Sequence, residues 1–127
     1  MLLNNGLNHI EKSLILFFLD HVSSEKDIWI NQINRANIDK ECTPYCIDLK
    51  FILQSKDVPL INDFEYVCQL QIIYNDGSAP TTMDFVIKNG IVDYFIVLNM
   101  DGSEINADKI FSNKYLSNIY VNVINKQ

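Results

Sequence analysis

The side chains best suited to hold a metal or attack an electrophile are three cysteines, Cys42, Cys46 and Cys68, and two histidines, His9 and His21. The run Cys42-Thr43-Pro44-Tyr45-Cys46 could bring two thiolates to one zinc ion, with Cys68 and a histidine completing a tetrahedral set. Structural zinc sites usually carry two close ligand pairs. Only one is present, so packing as small buried hydrophobes is the simpler role for these thiols. His9 and His21 fall on one predicted helix, roughly 120° apart around its axis, and do not meet at a common ligand. Nucleophilic catalysis needs a thiol or hydroxyl beside a histidine that an acid orients. No local spacing assembles that set.

Carboxylates are the other reactive groups in quantity. Asp63/Glu65 and Asp101/Glu104 are close pairs, and two acids across a cleft can cleave a glycosidic bond. Paired acids are equally ordinary on a solvated edge, and the chain has a single tryptophan to line a sugar site. The four glycines, Gly6, Gly77, Gly90 and Gly102, stand isolated, so there is no glycine-rich phosphate loop. The expectation is therefore a protein with no catalytic residue, no metal and no cofactor.

What the acids do offer is charge. Nine carboxylates and one base, Lys88, lie between Lys56 and Lys109, so that stretch sums to −8 within a chain of net charge −6. Such asymmetry speaks about partners rather than fold. A sequence pI near 4.7 disfavours nucleic acid, whose phosphates call for clustered Lys and Arg; a basic protein would be attracted. Asp76 and Asp101 sit in Asp-Gly-Ser turns and need no partner to explain them. Asp63, Glu65, Asp84, Asp93 and Glu104 are the candidate partner-binding acids, with Tyr74, Tyr94 and Phe95 as aromatic anchors among them.

The elements that must position these residues follow from periodicity. Leu7, Ile10, Leu14, Phe17 and Phe18 recur at three and four, predicting an amphipathic helix over about 8–22 capped by Asn5 or Asn8. Ser24-Glu25-Lys26-Asp27 reads as a capping box for a second helix ending near Ala36 or Asn37, with Trp29, Ile30, Ile33 and Asn34 inward. From Cys46 the period becomes two. Strands are expected over 46–53 and 64–74, with Tyr66, Cys68, Leu70, Ile72 and Tyr74 sharing a face. Turn signals at Asn75–Ser78, Asn89-Gly90 and Asp101–Ser103 then divide a run of antiparallel strands. In these, Thr81, Met83, Phe85 and Ile87 share one face, and Val92, Tyr94, Ile96, Leu98 and Met100 oppose Asp93, Phe95, Val97 and Asn99. Residues 108–127 are compatible with helix or strand.

Helices before strands imply an α+β domain, with N-terminal helices packed on one face of a curved antiparallel β-meander. At 127 residues and 48% hydrophobic, a single domain spanning 1–127 can bury a real core. The longest apolar run, Leu14–Leu19, is far shorter than the ~20 residues of a membrane span and lacks the flanks of a signal peptide. The cytoplasm, with reduced thiols, is the expected address.

Three segments carry a resemblance: Cys42-Thr43-Pro44-Tyr45-Cys46-Ile47-Asp48-Leu49, Lys88-Asn89-Gly90-Ile91-Val92-Asp93-Tyr94-Phe95-Ile96 and Asn99-Met100-Asp101-Gly102-Ser103-Glu104-Ile105. Over about residues 30–105 the chain resembles small bacterial proteins with a Cys-rich strand entry and a late Asp-Gly-Ser hairpin. It departs from them in cysteine spacing and in having Phe95 or Ile96 where they carry an acid. In size, acidity and helix-then-strand plan it is similar to immunity proteins of contact-dependent growth inhibition and related polymorphic toxin systems. That resemblance implies a non-enzymatic inhibitor that occludes a cognate toxin domain, often a basic nuclease. The alternative is a small-ligand-binding or enzymatic domain with a pocket between helices and sheet.

Overall fold

The computed structural model describes Asn4 and residues 6–124. α1 (His9–Val22) starts at Asn8, whose side chain accepts the Glu11 N–H at 2.8 Å while Glu11 accepts the Asn8 N–H at 2.9 Å. This reciprocal box satisfies two donors that a helix start otherwise leaves orphaned. Asn5, the other candidate cap, lies outside the described residues. The box expected at Ser24–Asp27 does not form. Glu25 occupies the N-cap of α2 (Lys26–Arg35) without a side-chain cap bond, and Ser23 Oγ takes the Glu25 N–H at 3.0 Å instead.

α2 ends where expected, but the chain passes at once into a strand, β1 (Ala36–Lys40), which the sequence pattern did not announce. Asn4 seals this junction, its Nδ2 donating to Ala36 O at 2.7 Å and, at 2.8 Å, to Ile33 O, which also accepts the Ala36 N–H that ends the helix. β2 (Cys46–Leu53), β3 (Val67–Tyr74), β4 (Thr81–Lys88) and β5 (Ile91–Asn99) follow. The ambiguous tail resolves into both forms, a short α3 (Ala107–Ile110) and then β6 (Leu116–Ile124); residues 125–127 lie outside the described set.

All neighbours pair antiparallel, in the order β1-β2-β5-β4-β3-β6. β3, β4 and β5 make the meander, while β2 lies beside β5, so these four strands form a Greek key. The architecture is α+β, with the N-terminal helices on one face of an antiparallel sheet. Asn89 (φ +53°) and Gly90 (φ +78°) give the two-residue β4–β5 hairpin the left-handed pair that a type I′ turn requires. Asp101-Gly102-Ser103 also turns the chain, but it leads out of β5 into α3 rather than into a hairpin.

The core lies between helices and sheet. Phe85 of β4 sits at its centre, 4.9 Å from the Trp29 and Phe95 rings, 5.4 Å from Phe18 and 5.6 Å from Phe51. Each of these rings is buried, contributing roughly 2–3 kcal/mol relative to exposure. The helix-facing side of the sheet is packed with Leu49, Phe51, Leu70, Ile72, Met83, Phe85, Ile87 and Val97, the filled core that their alternation predicts.

One polar residue crosses this layer. Gln32, fully buried on α2, donates to Pro59 O at 2.8 Å and Gly90 O at 2.9 Å and accepts from Val92 N at 2.9 Å. It ties α2 to the loop after β2 and to the β4–β5 hairpin. Asn34, expected inward, is exposed.

Candidate partner-binding surface

Eight residues carried the docking expectation, and the fold scatters them. Phe95 is fully buried, because β5 turns it toward α1 and Phe85; it belongs to the core and cannot anchor a partner. Tyr74 is also buried, on the helix-facing side of β3, its hydroxyl 2.6 Å from Thr81 Oγ1. Its ring does lie 4.7 Å from Lys109 Nζ. Asp63 accepts a 2.6 Å bond from Ser23 Oγ, which latches the loop before β3 to the α1–α2 connection. Glu65 is exposed in the same loop.

Asp93 occupies a bulge. Val86 pairs with Tyr94 and Ile87 with Val92, so Asp93 is the extra residue and the alternation of β5 reverses there. Val92 therefore shares the inner face with Phe95 and Val97, contrary to unbroken alternation. Asp93 lines a cleft of about 470 Å³ together with Lys50, Lys56, Lys88 and Leu60. Glu104 lines another, of about 530 Å³, with Glu11, Cys42 and Asp108.

Asp84 and Tyr94 remain, and they share the outer, helix-free face of the sheet. Strand register builds that face in rows. One row runs Asn122, Gln69, Asp84, Ile96 and Asp48; a second runs Ile124, Val67, Val86, Tyr94, Lys50 and Asp39; a third runs Tyr120, Gln71, Thr82, Leu98 and Cys46. Asp84 stands at its middle, on the fourth of six strands. Burial pushes its carboxyl above the usual range, opposed by a hydrogen bond from Gln69. Gln69 in turn accepts weakly from Asn122 at 3.5 Å. Oδ1 of Asp84 is buried without a hydrogen-bond partner. The ion pairs found among the described residues, Lys26–Asp20, Lys40–Glu11 and Lys109–Asp76, do not reach it.

The turn acids behave as their motifs predict. Asp76 accepts from Ser78 N at 3.0 Å and Ser78 Oγ at 2.6 Å, and Asp101 repeats both bonds on Ser103 at the same lengths. Lys109 pairs with Asp76 as well, and these contacts, the lysine first, hold the Asp76 carboxyl below the ordinary carboxylate range. The charge of Asp76 is thus met by Lys109, and the Oδ1 of Asp101 is taken up by its own turn.

Sequence reasoning missed Asp48 and Asp39 on the outer face, because both precede the −8 stretch; only the register of β1 and β2 brings them in. It also missed Glu11, whose carboxylate is buried and meets Lys40 Nζ at 2.5 Å and Cys42 Sγ at 3.7 Å. The three cysteines do not converge. Cys68 is buried on the inner face and pushed up to about 12 by burial, with Asp63 and Asp84 adding to the shift. Cys42 is exposed and Cys46 half-buried. No group of three or more His, Cys, Asp or Glu side chains among the described residues is arranged to hold a metal. No helix among them is long and apolar enough to cross a membrane.

Comparison of the chain with protein-family models, with curated proteins and with solved structures finds no match.

Proposed function

We propose that this chain is an immunity protein that binds a cationic toxin domain, and that it docks through the outer face of the sheet. One observation carries the reading: a half-buried carboxylate, Asp84, stands at the middle of that face with an oxygen that nothing among the described residues satisfies. An acid so placed costs stability unless a cation meets it. A Lys or Arg of a partner, arriving with the apolar rim of Tyr94, Ile96, Leu98 and Val86, supplies that cation and removes water from the pair. Asp48, in the same row, adds to the field that steers a basic surface toward the face.

Inhibition of this kind asks for no catalytic group. Occlusion needs area and charge of the right sign, which a six-stranded sheet with one open face provides. The experiment is co-expression with basic toxin domains, taken first from the reading frames that flank this one, scoring growth rescue and co-purification. Wild type is expected to rescue and to co-purify, with association slowed as salt rises. Failure of both removes the reading.

A further inference from the structure

The two edges of the sheet are built differently. β1 is five residues long and carries Asp39 and Lys40, the short, charged edge by which proteins discourage strand addition. β6 has nine residues, Leu-Ser-Asn-Ile-Tyr-Val-Asn-Val-Ile, with no charge, no proline and no glycine. Its one pairing among the described residues is to β3, so its other side presents a row of backbone donors and acceptors. Val121 and Val123 pair with Leu70 and Cys68 and thus lie on the helix side, yet both are about half exposed, as are Tyr120 and Ile124 on the opposite face. The helical layer does not cover them.

We infer that β6 pairs antiparallel with β6 of a second copy of this chain, joining two six-stranded sheets into one across a two-fold axis. An antiparallel strand pair is self-complementary, so the same patch serves both partners and the assembly closes at two. The composition of β6 selects the occupant. With no charge along it, it offers the cationic partner proposed above nothing to pair with, while its Tyr, Val and Ile side chains match those of a second β6. Two copies of a −6 chain repel at long range, but along β6 no like charges are brought face to face. Alternate side chains keep their faces across the axis: Val121 and Val123 meet their counterparts on the helix side, and Tyr120 and Ile124 theirs on the outer side. The strand is about 30 Å long, and such a ladder buries on the order of 1,000 Å² in total, below the roughly 1,600 Å² of standard stable complexes. The dimer is accordingly weak and concentration-dependent.

Sedimentation velocity of the full chain from micromolar to millimolar concentration tests this. A monomer–dimer equilibrium is expected that strengthens as salt rises, because screening relieves the repulsion between two acidic bodies; the docking proposed above weakens with salt, so the two readings fail separately. Val121→Lys with Val123→Lys places lysines against lysines across the axis at exposed positions. The expected result is loss of the dimer with unchanged circular dichroism and melting temperature. Should that variant unfold instead, concentration-dependent amide shifts in wild type, confined to β6, provide the second readout. A monomer throughout the range, a dimer that survives the double lysine variant in its folded form, shifts elsewhere than β6, or open-ended polymers would each overturn the inference.

Discussion

At the scale of single residues, Asp84 is a carboxylate whose placement opposes the fold. Burial raises its carboxyl above the ordinary value, so the folded chain retains this proton over a pH window in which the unfolded chain has lost it. The sign follows: its contribution to stability falls as pH rises through that window, beginning near the ordinary carboxylate pKa of about 4. Asp84→Asn is expected to stabilise the folded chain at pH 7 by on the order of 1 kcal/mol, the added cost of leaving a charged rather than a neutral oxygen unpaired. The advantage over wild type should vanish below about pH 4. Urea melts of both proteins at pH 3.5 and 7 measure it; a variant less stable at pH 7 contradicts the assignment. Cys68 gives a second check at this scale. With its thiol pushed up to about 12, it should stay unmodified by iodoacetamide at pH 8 in the native state while Cys42 and Cys46 react, and stability should fall as pH climbs above about 9, where only an unfolded Cys68 ionises. Mass spectrometry counts the labels.

Elements are held in register by few, specific contacts, and the bonds of Gln32 and the close approach of Leu60 to Gly90 are two that sequence patterns do not expose. Gln32→Leu adds apolar surface in the core yet strands Pro59 O and Val92 N, while Gly90 O keeps the Ile61 N–H at 2.9 Å. A loss of roughly 2 kcal/mol is expected from two unmet backbone groups, read by denaturant unfolding. Gly90→Ala must place a Cβ 3.0 Å from Leu60 Cβ at φ +78°, and it should cost about 2 kcal/mol through the left-handed backbone and the displaced loop. Here the limits of the sequence are physical. Helix α1, the inner faces of β3 and β4, and the turns at Gly77, Gly90 and Gly102 were all legible, because each follows from local period or local φ. β1 was not, since Ala36-Asn37-Ile38-Asp39-Lys40 has little strand propensity and forms by pairing with β2. The bulge at Asp93 was not legible either: a one-residue insertion is set by the partner strand, and it moves Val92 inward without any mark in the pattern. The aromatics Tyr74 and Phe95 were assigned to the surface because charge surrounds them in sequence, whereas strand facing puts them inside.

For the whole molecule, charge proves to be distributed by topology more than by sequence position. Of the −8 stretch, Asp76 and Asp101 are occupied by turn and lysine contacts, Asp63 by Ser23, and Asp93 stands beside three lysines. Asp84 is left at the middle of the open face, joined there by Asp48 from outside the stretch. The docking surface proposed here is therefore one face of the sheet and not the acidic half as such. Its reach is set by the Greek-key order, which no alternation pattern encodes, and that is why the candidate acids could be named from sequence but not grouped. Charge reversal at Asp84 and Asp48 together tests the central claim most directly, with growth rescue and co-purification in the co-expression experiment proposed above as the readout. Asp84→Lys with Asp48→Lys should leave the chain folded, abolish rescue and cut the association rate at low salt at least tenfold, as expected for removing the steering field. A folded double variant that rescues growth and binds at the wild-type rate would contradict it.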